Sequence, residues 1–238
     1  MWQLHEFSNP QTLIETLSQR LISTLTNLIN FQRRASIALS GGSTPAPLYR
    51  YLSQQTLDWS AVTVSLVDER WVEETNPQSN ARLIRNTLLQ NQARHATMIG
   101  MKTPTSDAFA AAENLGAILE RQILPLDLVL LGMGLDGHTA SLIPGAKGLD
   151  QALDKNNTRI CFALQPRSEP GAIAGCARMS LGLNTLLGAS ERILYLTGAA
   201  KRAVLESALQ PGSAQEMPVR AVLHDHHTLT EIYYAPDH

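Results

Sequence analysis

Cysteine is scarce in this sequence, with Cys161 and Cys176 the whole supply. Two thiols fit neither a disulfide framework nor a metal-ligand spacing, so both are expected to be buried and reduced. Net charge is nearly absent, at −2, which leaves no field to hold a nucleic acid or an anionic membrane. No apolar run approaches the ~18 residues of a membrane span. The opening Met-Trp-Gln-Leu-His-Glu has neither the basic nor the apolar region of a secretion signal. These absences predict a cytoplasmic protein with a small-molecule partner and no nucleic-acid or membrane partner; a monomer or homodimer is the expectation, which none of these absences decides.

What is present is apolar residues, at 44%, enough for a sizeable core. Strand-like runs recur at 36–39, 62–67, 97–101, 126–131, 160–164, 193–196 and 232–234, with helix-length segments between most of them. That alternation predicts a single α/β domain over residues 1–238, a doubly wound, mostly parallel Rossmann-like sheet flanked by helices. In the first helix Leu13, Leu17, Leu21, Leu25 and Leu28, with Ile14, Ile22 and Ile29 beside them, keep the spacing of one apolar stripe. A second helix, over 106–123, carries Phe109, Ala112, Leu115, Leu119 and Ile123 on its apolar side, and Pro125 prevents its continuation. Residues 150–158 and 210–217 read as polar surface loops.

The most informative stretch runs from Asp127 to Gly145, where the apolar strand Leu128 to Leu131 enters a turn with Gly132, Gly134 and Gly137. Ligands of parallel sheets sit beyond the strands' carboxyl ends, and there this turn carries Asp136 and His138. His138 is the candidate general base, since it can accept a proton near neutral pH. Asp136 either orients the imidazole or holds a substrate hydroxyl.

Three further groups lie at equivalent positions. Ser40-Gly-Gly-Ser-Thr-Pro45 joins a strand to a helix bearing Leu48, Tyr49 and Leu52. Gly41 and Gly42 let the backbone approach an anion, Ser43 and Thr44 offer hydroxyls, and the helix start offers free N–H groups. The same turn also reads as an ordinary capped corner. Val64 to Leu66 lead to Asp68, Glu69 and Arg70, and in an extended chain Asp68 and Arg70 share one side with Glu69 opposite. Asn80, in Ser-Asn-Ala-Arg, offers a polar contact or helps to cap a helix. Arg178 is expected to open a helix over 179–187, and Lys201 stands in the first turn after the strand at 193–196. A helix amino terminus disfavours cations, so a bound anion would explain both. The run His224-Asp225-His226-His227 has no second cluster to complete a metal site, and His95 and His238 have no supporting context.

Taken together, Ser-Gly-Gly-Ser-Thr-Pro, Val-Asp-Glu-Arg-Trp-Val, Ser-Asn-Ala-Arg, Gly-Met-Gly-Leu-Asp-Gly-His-Thr-Ala-Ser, Arg-Met-Ser-Leu and Thr-Gly-Ala-Ala-Lys resemble the 6-phosphogluconolactonase family. That family belongs to the glucosamine/galactosamine-6-phosphate isomerase superfamily, and the resemblance runs through nearly the whole chain in order. It implies metal-free and cofactor-free hydrolysis of 6-phospho-D-glucono-1,5-lactone to 6-phospho-D-gluconate in the oxidative pentose phosphate pathway. Carried onto this chain, it makes His138 the activator of water and puts Asp68 and Arg70 at the sugar end. Ser43, Thr44, Arg178 and Lys201 grip the 6-phosphate, Gly41 and Gly42 admit it, and Asn80 and Asp136 complete the substrate-binding set. Arg70 is also the candidate stabiliser of negative charge on the carbonyl oxygen.

Two alternatives stand beside this reading. The related deaminases carry a glutamate five residues after the loop histidine, where this chain has Ile143. A non-catalytic sugar-phosphate sensor would use the same cradle but would need a DNA-binding segment, and no basic helix-turn-helix pattern is present.

Overall fold

The computed structural model describes residues 1–167 and 175–237, so His238 lies outside the described residues. The chain opens with β1 (Trp2–Glu6), α1 (Pro10–Gln32), β2 (Ala35–Leu39) and α2 (Ala46–Leu52). β3 (Val62–Leu66) runs almost directly into β4 (Asp68–Arg70), followed by α3 (Asn80–Thr87), β5 (Thr97–Met98) and α4 (Ala108–Ile123). Then come β6 (Leu128–Leu131), α5 (Leu149–Leu153), β7 (Cys161–Leu164) and β8 (Arg178–Leu181). The last elements are α6 (Leu183–Leu187), β9 (Glu191–Thr197), α7 (Ala199–Leu209), α8 (Val219–Leu223) and β10 (Thr230–Ala235).

Seven strands form the main sheet in the order β1-β10-β9-β6-β2-β3-β5, and every neighbouring pair is parallel. Every residue of β2 and β6 is buried, as expected of strands covered on both faces. From β2 the chain winds outward to β3 and β5, then returns to β6 on the other side of β2 and winds outward again to β9 and β10. The reversal falls between β2 and β6, which is where such sheets open a crevice.

Helix α1 shows how the covering layer is specified. Asn9 caps it by accepting the Thr12 N–H at 2.9 Å, Pro10 occupies its first turn, and Arg33 ends it in the left-handed conformation. Leu13, Ile14, Leu17, Leu21 and Leu25 bury its stripe, while the expected continuation to Leu28 and Ile29 is only half-buried. On α4 the stripe is confirmed at Ala112, Leu115, Leu119 and Ile123, but Phe109 is 41% exposed beneath Lys147. Its place in the first turn, one residue after Ala108, aims it away from the sheet.

Other expectations need correction. The segment 160–164 is not part of the parallel sheet: β7 joins β4 and β8 in a separate three-stranded antiparallel sheet. Arg178 does not open a helix, because residues 178–181 form strand β8 and the helix begins at Leu183. The supposed loop at 150–158 begins inside α5. Cys161 is buried, and burial pushes its thiol up to about 12. Cys176 is only half-buried, just ahead of β8. Among the described residues, no helix is long and apolar enough to cross a membrane.

The histidine run near the carboxyl end is organised by a buried ion pair. Arg192, 1% exposed within β9, donates to Asp225 at 2.6 Å, to the Leu187 carbonyl at 3.3 Å and to the Thr228 carbonyl. His224 turns away to the Ala208 carbonyl at 2.9 Å, and among the described residues no three His, Cys, Asp or Glu side chains converge as metal ligands. Burial alone would raise the Asp225 carboxyl, but Arg192 and the N–H groups of Thr228 and His227 hold it below its usual range. The pair therefore stabilises the fold above the ordinary carboxylate pKa of ~3.9, and that contribution is lost as pH falls through the lowered folded value. We expect Arg192→Leu to cost ~3–5 kcal/mol in urea unfolding at pH 7, because it strands a carboxylate in the interior, with Arg192→Leu/Asp225→Leu recovering part of it. A loss under ~1 kcal/mol for the single variant would count against this account.

Candidate active site

At the reversal point lies a cavity of about 340 Å³. The turn after β2, the β4–β8 pair, the loop after β6 and the start of α7 all open onto it. It brings together Gly41, Gly42, Ser43, Thr44, Asp68, Arg70, Asn80, His138, Arg178 and Lys201. Asp136 is placed behind His138 and does not line the cavity wall.

The loop after β6 is built to hold one ring. His138 Nδ1 lies 2.6 Å from Asp136 Oδ1, which also accepts the His138 N–H at 3.1 Å. Gly134 donates to the His138 carbonyl at 2.8 Å, and Gly137 donates to the Gly134 carbonyl at 3.1 Å. A Cβ on Gly134 would fall 2.1 Å from His138 Nδ1, so glycine is required for this closure. Gly137 has φ +76° and packs under Met217, while its carbonyl accepts the Val219 N–H at 2.9 Å. The Asp136 contact engages Nδ1 and leaves Nε2 without a protein partner among the described residues. Burial would raise the Asp136 carboxyl, but the hydrogen bond and charge of His138 bring it down to about 2. Asp136 is thus placed to orient the imidazole, the first of the two roles open to it.

The β4 strand separates its charges by face. Glu69 is fully buried away from the cavity and accepts from the N–H groups of Asn80 at 2.7 Å, Ala81 at 2.8 Å and Arg70 at 2.8 Å, and from the Ser79 hydroxyl at 3.0 Å. It satisfies the first N–H groups of α3. Burial, outweighing these hydrogen bonds, raises its carboxyl pKa. Asp68, also buried, accepts from Ser141 on one oxygen and from Asn80 Nδ2 at 3.3 Å on the other. Asn80 Nδ2 reaches the Asp68 carbonyl at 2.8 Å, and its Oδ1 accepts from Arg70 at 2.7 Å. Asn80 thus lines the cavity and also fixes the two groups beside it. Ser141 went unnoticed as an individual residue; it reaches Asp68 because Ala140 takes a left-handed φ of +48°, a turn that composition does not reveal.

The cations are set against one another. Arg70 and Arg178 are direct partners across β4 and β8, and like charges so placed destabilise a strand pair. Burial and the neighbouring Arg70 charge lower the Arg178 pKa, and its buried Nε has no hydrogen-bond partner among the described residues. Lys201 lies in the first turn of α7 and donates to the Met133 carbonyl; burial lowers its pKa against the opposing pull of Asp136. Facing these cations, the N–H groups of Gly41, Gly42, Ser43 and Thr44 have no acceptor among the described residues. Crowded cations beside unpaired donors are the chemistry that suits an anion.

Comparison with known proteins gives a consistent result. The family model described as glucosamine-6-phosphate isomerases/6-phosphogluconolactonase matches residues 8–231. The 6-phosphogluconolactonase of Rhizobium meliloti is 39% identical over 233 residues, spanning 98% of this chain and 98% of its own. That of Pseudomonas aeruginosa is 40% identical over 207 residues, 87% of this chain and 85% of its own. A crystal structure of a 6-phosphogluconolactonase from Shewanella baltica superposes with a TM-score of 0.93 at 35% identity, covering 99% of this chain and 98% of that one.

Two outcomes are expected from the geometry alone. In a carboxylate-detected NMR titration Asp136 should protonate near pH 2, and in His138→Ala its midpoint should climb to at least the ordinary ~3.9. An unchanged midpoint would mean that the pair does not form. In Gly41→Ala the new methyl would fall 1.8 Å from Asn80 Oδ1, forcing the turn that carries the unpaired N–H groups out of place. Calorimetry should then show inorganic phosphate binding weakened by about tenfold or more, as loss of a charge-assisted contact predicts.

Proposed function

The chain belongs to the glucosamine-6-phosphate isomerase/6-phosphogluconolactonase family, and we propose that its cleft hydrolyses 6-phospho-D-glucono-1,5-lactone to 6-phospho-D-gluconate with His138 as the general base. It is an enzyme of carbohydrate metabolism acting on a small phosphosugar. We read residues 1–238 as one lactonase domain working in the cytoplasm on the oxidative pentose phosphate pathway.

The observation that carries the reading is the imidazole of His138, clamped at Nδ1 by Asp136 and standing in the same cavity as the opposed Arg70 and Arg178. In this mechanism Nε2 removes a proton from water as the oxygen attacks the lactone carbonyl. The carbonyl oxygen becomes negative, and the Arg70 guanidinium, held by Asn80 and the Gln78 carbonyl, faces that growing charge. The tetrahedral intermediate then collapses. The bond from C1 to the ring oxygen breaks, and the leaving alkoxide takes the proton from the imidazolium, giving the open-chain acid. One water is consumed, and the base returns to its starting state.

Binding divides between the two ends of the substrate. Arg178, Lys201, the hydroxyls of Ser43 and Thr44 and the free N–H groups of the Gly41–Gly42 turn take the 6-phosphate. Asp68, fixed by Ser141 and Asn80, offers a carboxylate to the sugar hydroxyls. Amine chemistry of the deaminase type would need a further carboxylate, and Ile143 instead packs against the core.

The test is the rate of 6-phosphogluconate formation from freshly generated lactone, measured above spontaneous hydrolysis. Wild type should exceed that background by orders of magnitude. His138→Ala should lose ~10²–10⁴-fold in kcat, the range of positioned acid–base catalysis, while still binding 6-phosphogluconate. Arg70→Ala should lower kcat, and an effect confined to KM would remove Arg70 from the chemical step. A wild-type rate equal to background would sink the reaction while leaving the anion site standing.

A further inference from the structure

We propose that Tyr49 is a positioning residue for the anion cradle, its hydroxyl holding the Ser40–Gly41 peptide so that the Gly41 N–H is presented to the substrate phosphate. The proposal rests on the lactonase reading above.

Tyr49 lies on α2 with no exposed surface, beneath the cavity rather than in its wall. Its hydroxyl donates to the Ser40 carbonyl at 2.6 Å. Burial raises the phenol far above its ordinary pKa, so the group is a fixed donor. On its other side Ser40 donates its own N–H to the Leu130 carbonyl of β6 at 3.0 Å. The residue is therefore pinned between the sheet and the helix.

In a trans peptide the carbonyl and the following N–H point in opposite directions. Turning the Ser40 carbonyl inward to Tyr49 thus turns the Gly41 N–H away from the core. Ser40 and Gly41 both line the cavity, and the Gly41 N–H has no acceptor among the described residues. Gly41 is poorly suited to hold this plane by itself. It has no side chain to restrict its torsions, and any Cβ is forbidden by Asn80, so the restraint has to come from outside. A phenylalanine would fill the same core volume without burying a hydroxyl, whose desolvation is costly unless it is bonded. The hydrogen bond to Ser40 is what the hydroxyl adds.

The experiment compares wild type with Tyr49→Phe by calorimetric binding of 6-phosphogluconate and by steady-state hydrolysis of two lactones, one with and one without the 6-phosphate. We expect Kd and the KM of the phosphorylated lactone to rise about tenfold, the scale of one lost hydrogen bond, with kcat within about twofold. For unphosphorylated glucono-1,5-lactone kcat/KM should not change. Equal losses on both lactones, or a wild-type Kd, would overturn the proposal, since a general loosening of the core does not distinguish substrates by their phosphate. A variant-free check guards against poor folding of Tyr49→Phe. Titration of wild type with inorganic phosphate should shift the Gly41 amide resonance, and an unmoved resonance would also overturn it. Wild type that binds 6-phosphogluconate without turning over the lactone would instead defeat the catalytic reading and leave the Tyr49 comparison intact.

Discussion

Strands β2 and β6 lie side by side and parallel, yet the chain leaves them in opposite directions, and the active cleft exists because neither departure can fill the gap between them. Everything functional follows from that constraint. Parallel strands place all their carboxyl ends along one edge of the sheet, so the turns after β2, β6 and β9 meet there without any long-range search by loops. The apolar interiors of β2 and β6 fix the depth at which those turns emerge, and the glycines set how closely they approach one another.

A second, smaller sheet supplies what the parallel edge cannot. β4 continues β3 by only a few residues, but its pairing with β8 turns Asp68 and Arg70 to the cleft and Glu69 to the start of α3. Three adjacent charges on one strand are thus divided by simple alternation, Glu69 to the start of α3 and Asp68 and Arg70 to the cleft. The cost is the opposition of Arg70 and Arg178, like charges paired directly across the two strands.

Much of this was legible in the amino-acid order. Buried strands such as Leu128 to Leu131 carry their own signature, and Ser40 to Pro45, Asp136 and His138 stand where the strand-end rule places ligands. The alternation of Asp68, Glu69 and Arg70 was readable as soon as an extended chain was assumed. The antiparallel sheet was not, because its strands are three or four residues long and one of its two pairings, β4 with β8, joins segments separated by about half the chain. Arg178 was misplaced for a related reason: Arg-Met-Ser-Leu suits a helix as well as a strand, and its partners β4 and β7 decide. The roles of Ser141 and Asn80 as supports also depend on contacts that no local pattern encodes, whereas the burial of Tyr49 on α2 follows from its neighbours Leu48 and Leu52.

The segment at 210–217 reads as an unremarkable polar connection, yet Met217 sits on Gly137 and the next turn donates a backbone hydrogen bond to it. The loop that carries His138 is therefore held from outside by a stretch of chain that does not line the cavity. An engineer trimming or grafting surface loops on this scaffold would have to leave Met217 to Val219 in place, because they brace the loop that presents His138 to the cavity.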